Sequence, residues 1–426
     1  MRIVEITRAS LAENPRLIKE ASALSRIADV TVICGEHFGW SRQMEQKIQV
    51  DLPSKVLKVP FGPFSPRMVR IGQVAPRILA STLLKTGLVW NQRMAEIAIH
   101  DTVRQAEQLA TRIPADVYIA HYIAALPTAA RAAARHGAKY AFDAEDFHLG
   151  DLPDAPEHAL EKRMIRAIES RYLPGAAYMT AASPLIAEAY AETYGVPLPA
   201  VILNVFPKAN APAAPSPRGS AEPGPSLYWF SQTIGPGRGL ETAVEAIARA
   251  RSLPHLYLRG TPATGYEASL RSLAAHVGVA ERLHFLDPAP PDQLERLGAS
   301  YDLGYVGECD VSPNRLRALT NKLFSYLLGG VPSLATNIPA HRQLAPQLGE
   351  AMTLFPIGDA AKLAAAIDHL LLDPQRLASA RAHAWELGQT CFNWDMEQQT
   401  LLRTVSGAMG FDRTEAKTWN EAAQQR

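Results

Sequence analysis

The first half of the chain alternates short apolar runs with longer segments in which apolar residues recur at helical spacing. The apolar runs that we predict as strands are Arg2–Ile6, Val30–Cys34, Val117–Ala120, Tyr140–Phe142, Tyr178–Ala181 and Val201–Leu203. Strands that alternate with helices in this way are typical of a parallel sheet with helices on both faces. Residues 1–206 therefore predict one doubly wound α/β domain.

A proline-rich segment separates this domain from a second region with the same alternation. Residues 207–226 contain six prolines among small polar residues, which is typical of a linker or exposed loop. Further strands are predicted near residues 227–230, 255–259, 283–286, 302–306 and 332–335. The sequence therefore predicts a second α/β domain over 227–390, then a terminal segment, 391–426, whose polar end we expect to be frayed.

Composition narrows the class of protein. The 426 residues suit two domains, and a net charge of +1 gives no general affinity for nucleic acid. Three scattered cysteines predict neither a disulfide framework nor a zinc site. Met1–Ile6 is patterned as a buried strand rather than a secretion signal, and no apolar run approaches the about 20 residues that span a bilayer. We therefore expect a cytoplasmic protein.

Residues 320–335 combine a polar helix start with a glycine stop. Asn321 and Lys322 open an apolar helical run that ends at Gly329-Gly330, and Val331-Pro332 then begins a strand. The polar residues are therefore predicted at a helix N-terminus, where free backbone N–H groups and the helix dipole attract phosphate.

A glycine-rich turn precedes another helix of the same domain. Residues 228–231 predict a strand, residues 232–239 a turn that ends at Arg238-Gly239, and residues 240–247 a helix. Glycine lets the backbone approach a diphosphate, and arginine offers a planar fork of donors to its oxygens. The glycines lack the spacing of the dinucleotide fingerprint, but the two segments together indicate a diphosphate site.

With these motifs the chain resembles the GT-B glycosyltransferases, specifically the large retaining family that uses nucleotide-sugar donors. The segments that carry the resemblance are Asn14–Ala21, Asp116–His121, Phe142–Asp146, Ala182–Pro184, Val201–Asn204, Arg238–Gly239, Leu258–Gly260, Asn321–Phe324 and Gly330–Pro332. The resemblance implies two Rossmann-like domains facing a cleft, the first for the acceptor and the second for the donor, and a final helix that crosses back. It also implies retaining transfer of a hexose from a UDP- or GDP-sugar to a saccharide or lipid-linked acceptor, in surface-glycan synthesis and without a metal or other cofactor.

The resemblance also implies which residues contact the donor. Arg238 is the first choice to stabilise the leaving diphosphate and Lys322 the second, and the alternative for each is an ordinary structural or surface cation. The expected donor-binding residues are Ser231, Gln232, Arg238, Gly239, Asn321, Lys322 and Ser325. The chain departs from the family where Arg317 and Ser325 replace two glutamates, the second of which usually holds the donor ribose. Ribose recognition is therefore expected to differ.

Polar residues follow two predicted strands of the first domain. His121 follows Val117–Ala120, and Glu145 and Asp146 follow Ala141–Asp143. The carboxyl ends of parallel strands commonly supply site residues. The resemblance implies catalytic roles for these three side chains, with Glu145 or Asp146 orienting the acceptor hydroxyl or taking its proton.

The same domain offers acceptor contacts and alternatives to them. Asn14 and Arg16 are expected to bind the acceptor. His121 is alternatively a structural histidine, and Asp143 or Asp146 is alternatively a helix N-cap. We find no sequence pattern typical of a metal cluster or of a Ser-His-Asp triad.

One long stretch of the first domain carries no acidic residue. Seven basic residues and many apolar ones lie in residues 52–95. A basic, apolar-rich helical stretch is typical of an element that lies on an anionic membrane surface. The alternative is a helix pair packed on its own domain with solvated cations; a nucleic-acid role is not expected, because few aromatic residues are present to stack.

Two other functions remain open on the same fold. A nucleotide-sugar epimerase would lack a separate acceptor and should need more acid and base groups toward the donor sugar. A catalytically silent subunit that partners another glycosyltransferase is favoured by Ser325 and Arg317 in place of carboxylates. The presence of Arg238, Lys322 and His121 favours an active enzyme.

Overall fold

The computed structural model describes residues 1–37, 42–62, 65–87, 90–215 and 224–410. The chain divides into two units, of which the first comprises Met1–Ile202 and the segment from Gln398, and the second comprises Leu203–Glu397. The sequence placed these divisions at 206 and 390. Part of the predicted linker, 216–223, and the predicted frayed tail, from 411, lie outside the described residues.

The first unit is built on a seven-stranded sheet in which all neighbouring strands are parallel. The strands are β1 (Arg2–Thr7), β2 (Asp29–His37), β3 (Lys55–Phe61), β4 (Val117–His121), β5 (Lys139–Ala144), β6 (Met179–Ala181) and β7 (Ala200–Val201). Their spatial order is β3-β2-β1-β4-β5-β6-β7. Their apolar side chains, such as Ile3, Val32 and Ile119, are buried beneath the helices, as a doubly wound sheet requires.

Among the described residues of this unit, eight α-helices connect the strands. They are α1 (Pro15–Leu24), α2 (Arg42–Asp51), α3 (Arg67–Lys85), α4 (Gln92–Ile99), α5 (Val103–Ala110), α6 (Leu126–His136), α7 (Ala159–Tyr172) and α8 (Pro184–Tyr194). No helix among the described residues is long and apolar enough to cross a bilayer.

The second unit repeats the pattern with six parallel strands in the order β10-β9-β8-β11-β12-β13. The strands are β8 (Ser226–Ile234), β9 (His255–Pro262), β10 (Leu283–Leu286), β11 (Leu303–Val306), β12 (Ser333–Thr336) and β13 (Met352–Phe355). Its helices are α9 (Leu240–Arg249), α10 (Tyr266–His276), α11 (Leu294–Gly298), α12 (Asn321–Gly329), α13 (Pro339–Leu348), α14 (Ala360–Leu371) and α15 (Pro374–Thr390). A last helix, α16 (Trp394–Met409), begins in the second unit and belongs to the first from Gln398 onward.

Two strands were not predicted. One of them corrects the prediction that the acid-free stretch, residues 52–95, is helical. Lys55–Phe61 forms β3 at the edge of the first sheet, so residues 52–95 are not helical throughout. Lysines and a proline suit an edge strand, since its outer side forms no ladder, but they disguise it in the sequence. The other missed strand is β13, at the edge of the second sheet.

Candidate active site

The glycine-rich turn of the second unit brings Arg238 to the start of α9. β8 runs further than predicted, to Ile234, and the turn occupies residues 235–239. Gly239 has a φ of 63°, and a Cβ there would lie 2.8 Å from the Tyr305 hydroxyl. That hydroxyl donates to the Gly239 carbonyl at 2.6 Å. Only glycine fits this left-handed, closely packed position, which fixes the backbone beside Arg238.

Three cations gather around one buried carboxylate at this place. Glu308 follows β11, and its side chain is only 4% exposed. An Arg315 guanidinium nitrogen lies 3.1 Å from its Oε2, and an Arg238 nitrogen lies 4.0 Å from the same oxygen. Burial lowers the pKa of Lys322 to about 8; Glu308 opposes this shift, while Arg238 and Arg315 add to it. The three basic side chains therefore exceed the single carboxylate by two positive charges. We call Arg238, Glu308, Arg315 and Lys322 the cation cluster.

The N-terminus of α12 lies at the cation cluster, because Lys322 is the second residue of this helix. Asn321, the first, is exposed. The side chain of Thr320 does not cap the helix, and its carbonyl accepts from the Leu323 N–H at 3.2 Å, so the backbone N–H groups ahead of Leu323 are the ones suited to bind an anion. The Lys322 ammonium lies over the Trp229 ring, 5.1 Å from its centre, which is within the range of a cation–π contact. Asn321 and Lys322 therefore begin a helix, as predicted, and their contact with phosphate stays a prediction.

Other predicted donor residues lie at the end of β8. Ser231 is half-buried and Gln232 is exposed, beside an irregularity in the pairing of β8 with β9. Gly260 permits this irregularity, since a Cβ there would lie 2.2 Å from the Ser231 carbonyl oxygen. Both polar side chains lie within the last four residues of β8, and their contact with a donor stays a prediction.

Ser325 does not stand in for the missing ribose-binding glutamate. It lies inside α12, is 2% exposed, and donates to Glu295 Oε1 at 3.2 Å. Arg317, at the other substituted position, donates to the Pro313 carbonyl at 2.8 Å. The expected donor contact of Ser325 is therefore corrected to a structural hydrogen bond in the interior.

In the first unit a row of polar side chains crosses four neighbouring strands. The register pairs Thr7 of β1 with His121 of β4, His121 with Asp143 of β5, and Asp143 with Thr180 of β6. All four residues are buried. The Thr180 hydroxyl donates to Asp143 Oδ1 at 2.5 Å. Buried polar groups need hydrogen-bond partners, and helix α1 supplies one of them in Arg16.

The residues expected to bind the acceptor are instead buried parts of this arrangement. Arg16 is 0% exposed and donates to both oxygens of Asp143 at 2.7 Å and to the Ile202 carbonyl at 2.6 Å. Asn14, also 0% exposed, accepts from the Leu17 N–H at 3.1 Å and so caps α1. We therefore correct the expectation: neither side chain is placed to contact an acceptor. Asp143 is an ion-pair partner and not a helix cap, and Arg16 holds the pKa of its carboxyl well below the usual range against the effect of burial.

His121 lies at the end of β4, as predicted, but its ring is enclosed by carboxylates and is only 2% exposed. Its Nε2 lies 3.8 Å from Glu5 Oε1 and 3.8 Å from Glu20 Oε2, and its Nδ1 lies 3.4 Å from Asp143 Oδ2. Burial alone lowers the pKa of His121, but Asp143, Glu5 and Glu20 outweigh it and raise the pKa well above its usual value. A charged imidazole is a poor general base. The catalytic role of His121 stays a prediction, and these surroundings favour a structural role.

Glu145 and Asp146 lie just beyond β5 and are half-buried. Burial raises the pKa of Glu145, and the neighbouring Asp146 carboxylate raises it further. Tyr122 interacts with Glu145 and has a φ of 66°, a strained backbone conformation for a tyrosine. A carboxyl group with a raised pKa near a strand end is suited to taking up or donating a proton. Sequence patterns gave no sign of Tyr122.

A buried network fixes the loop that carries Glu145 and Asp146. The Tyr190 hydroxyl lies 3.1 Å from the Asp146 carbonyl, 2.9 Å from Glu169 Oε1 and 2.8 Å from His148 Nδ1. The Tyr194 hydroxyl donates to the other oxygen of Glu169. These residues come from α7, α8 and the loop itself, so sequence spacing alone could not bring them together.

The comparisons with known proteins agree with this description. Residues 17–204 match the sequence model of a glycosyl transferase 4-like domain. No curated protein matches the sequence significantly. HepE from Anabaena, solved with UDP and glucose, is 17% identical with a TM-score of 0.70, over 96% of this chain and 100% of that one. Sucrose-phosphate synthase from Thermosynechococcus elongatus is 16% identical with a TM-score of 0.71, over 96% and 99%.

These likenesses, together with the two parallel sheets, define the GT-B fold. The sequence-based prediction of that fold class is confirmed. Within this fold, residues 17–204 carry the glycosyl transferase 4-like domain.

Proposed function

We propose that this enzyme transfers a hexose from a UDP- or GDP-sugar to a saccharide or lipid-linked acceptor, with retention of the anomeric configuration, in surface-glycan synthesis. The observation that carries the proposal is the cation cluster at the N-terminus of α12. Its excess of positive charge suits a diphosphate. UDP is the favoured nucleotide, because HepE was solved with UDP, with UDP and glucose, and with UDP-glucose.

The cation cluster would act when the bond between the sugar and the diphosphate breaks. Negative charge then develops on the terminal phosphate, and fixed cations and helix N–H groups stabilise it without having to reorganise. The acceptor hydroxyl attacks from the side that the phosphate leaves and passes its proton to a phosphate oxygen. This front-face course retains the configuration and follows from the resemblance to retaining enzymes.

The acceptor side is assigned to the first unit. Glu145 is the preferred group to orient the acceptor hydroxyl, with Asp146 as its neighbour, because it combines partial exposure with a raised pKa. Asn14 and Arg16 have no part in this proposal, since both are fully buried.

The proposed binding of the diphosphate by Arg238 gives a first prediction. Arg238→Ala is expected to weaken UDP binding by about 1.5–3 kcal/mol, the range for a hydrogen bond to a charged group. Isothermal calorimetry on the folded variant measures this effect. Arg249→Ala is the matched control, because Arg249 is an exposed arginine that pairs with Glu245 on α9 of the same unit. Equal UDP affinity in the wild type and the Arg238 variant would remove Arg238 from the donor site.

Thermal-shift measurements with UDP, GDP and their sugars test the proposed donor class. We expect stabilisation by one nucleotide family and a larger shift with one of its sugars, since a ligand that binds only the folded protein stabilises it. Absence of any shift with these ligands at millimolar concentration would contradict the donor assignment.

A silent GT-B subunit is the second function that an observation favours. Ser325 and Arg317 replace the usual glutamates and are held by Glu295 and by a backbone carbonyl. Such a subunit would bind the nucleotide sugar without cleaving the bond between the sugar and the diphosphate. Slow release of free sugar from the bound donor in the absence of acceptor would exclude it, and tight binding without any release or transfer would support it.

We further propose that α3 docks the enzyme on an anionic membrane surface. The helix contains four basic residues and no acidic one. Its largest exposed apolar side chains are Met68, Ile71, Ile78 and Leu79, which are 79%, 53%, 52% and 62% exposed. Their spacing places them along one side of the helix, and basic residues beside an exposed apolar stripe are typical of interfacial helices.

Vesicle flotation tests this docking. The full chain is expected to float with vesicles that contain anionic lipid and not with neutral vesicles, and added salt should reduce the bound fraction. Ile71→Glu should weaken binding, whereas Leu253→Glu, at an exposed leucine of the second unit, should not. Equal binding to both vesicle types, or to neither, would contradict the proposal.

A further inference from the structure

A buried glutamate in the middle of β1 is the unexplained feature of the first unit. Glu5 is 0% exposed, and neither of its carboxylate oxygens has a hydrogen-bond partner among the described residues. Its strand is paired on both sides, with β2 and β4. Burying a carboxylate that forms no hydrogen bond is costly, and the ion pair of Glu5 with His121, at 3.8 Å, is longer than a hydrogen bond.

Glu5 shares this place with two other ligand-type side chains. One carboxylate oxygen of Glu5, one of Glu20 and a ring nitrogen of His121 lie within 4.8 Å of one another. Both oxygens lie 3.8 Å from His121 Nε2. Neither ring nitrogen of His121 has a geometrically sound hydrogen bond. The three side chains thus face one another at ion-pair distance without a hydrogen bond between His121 and either carboxylate.

The distances suit a small divalent cation. Zinc binds histidine nitrogen and carboxylate oxygen at about 2.0–2.2 Å, so the ligand atoms of a tetrahedral site lie roughly 3.4 Å apart. The two separations of 3.8 Å from His121 would need to close by a few tenths of an ångström, and the two carboxylate oxygens, which lie within 4.8 Å of each other, would need to approach to the same spacing. The Tyr178 hydroxyl, which is buried without a partner and interacts electrostatically with Glu20 and Glu5, offers an additional oxygen nearby.

Asp143 occupies the position of an orienting residue behind the histidine. It lies 3.4 Å from Nδ1, the ring nitrogen that faces away from Glu5 and Glu20. Metal-binding histidines commonly direct their other ring nitrogen toward a carboxylate, which fixes the ring and its tautomer. Arg16 and Thr180 in turn hold Asp143 by hydrogen bonds.

The charges also balance with a divalent cation. Glu5, Glu20 and Asp143 carry three negative charges when ionised, and Arg16 carries one positive charge. With a neutral imidazole the group is left at −2, which one divalent cation neutralises. Two bound protons would balance the same charge, and the experiment below separates the two states.

We propose that Glu5, Glu20 and His121 form a structural zinc site in the first unit, with Asp143 orienting the histidine. The cation would join β1, β4 and α1 and so stabilise the fold, apart from the diphosphate chemistry of the second unit. Zinc is the expected ion because one nitrogen and two oxygen ligands at this spacing suit a tetrahedral borderline-soft cation.

Metal content tests the site directly. The full chain, free of any histidine tag, is incubated with zinc chloride, desalted and analysed by mass spectrometry for zinc. We expect one equivalent of Zn²⁺ in the wild type, and background in Glu5→Gln and in Glu20→Gln. Glu169→Gln is the matched control, because Glu169 is a fully buried glutamate beside a histidine, His148, and should leave the zinc content unchanged.

Two further measurements keep the test decisive if a variant folds poorly. Cobalt added to the wild type should give the visible absorption of a tetrahedral ion, and added zinc should raise the melting temperature of the wild type but not that of either glutamine variant. Wild-type protein that holds no stoichiometric zinc and shows no tetrahedral cobalt spectrum would overturn the proposal. Equal zinc content in the wild type and in folded Glu5→Gln would do the same.

Discussion

Replacement of Arg16 by alanine is expected to destabilise the first unit by about 3–5 kcal/mol, the usual cost of removing one partner from a buried ion pair. Arg16 and Asp143 are both almost fully buried and share two hydrogen bonds at 2.7 Å. Without the guanidinium, Asp143 keeps a charge in the interior and the Ile202 carbonyl loses its donor. Thermal unfolding should show a fall of roughly 6–20 °C for a unit of this size.

Arg2→Ala is the control for this change. Arg2 pairs with Asp116 in the same unit, but the two side chains are 54% and 41% exposed. Exposed pairs contribute about 0–1 kcal/mol, so the melting temperature should hardly move. If a folded Arg16→Ala variant had the same melting temperature as the Arg2→Ala control, Arg16 would not be a structural residue. The original expectation that Arg16 binds the acceptor would then be restored.

Removal of Lys322 is expected to lower turnover strongly. Lys322→Ala should slow sugar transfer about 10²–10³-fold, as for other preorganised groups that stabilise a developing anion. The binding of UDP-sugar should weaken less than transfer slows, because the interaction is strongest when the bond breaks. Initial rates and calorimetry on the same preparation separate the two quantities.

The pKa of Lys322 adds a second test of this role. Because burial lowers it to about 8, the nucleotide-free enzyme loses this positive charge as the pH rises through about 8. UDP affinity of the wild type should therefore fall above that pH, and that of the Lys322→Ala variant should not show this step. Lys362→Ala, at an exposed lysine on α14, should behave as the wild type. A pH profile shared by both variants would contradict the assignment.

The fold was largely predictable because its signals are local. Buried strands such as Val117–His121 are continuous apolar runs, and glycine ends α12 where the pattern says it should, since Gly330 has a φ of 68°. β3 was missed because its lysines serve an edge strand that needs no apolar outer face.

The residues of the candidate site could be predicted only where they lie close together in the sequence. Arg238 and Lys322 lie at a turn and a helix start, which spacing reveals. Glu308 and Arg315 join them through the loop after β11, and no local pattern marks that loop. Glu5 lies within a strand, where a single carboxylate among apolar residues gives no sign of its partners on α1 and β4.

The most direct test of the central claim is product analysis by nuclear magnetic resonance. The enzyme is incubated with the nucleotide sugar that stabilises it most and with a panel of saccharide and lipid-linked acceptors. The account predicts a new glycosidic bond with the anomeric configuration of the donor, and stoichiometric release of the nucleoside diphosphate. A product of inverted configuration would contradict the retaining mechanism. Conversion of the donor sugar to its epimer without transfer would contradict the proposed function as a whole.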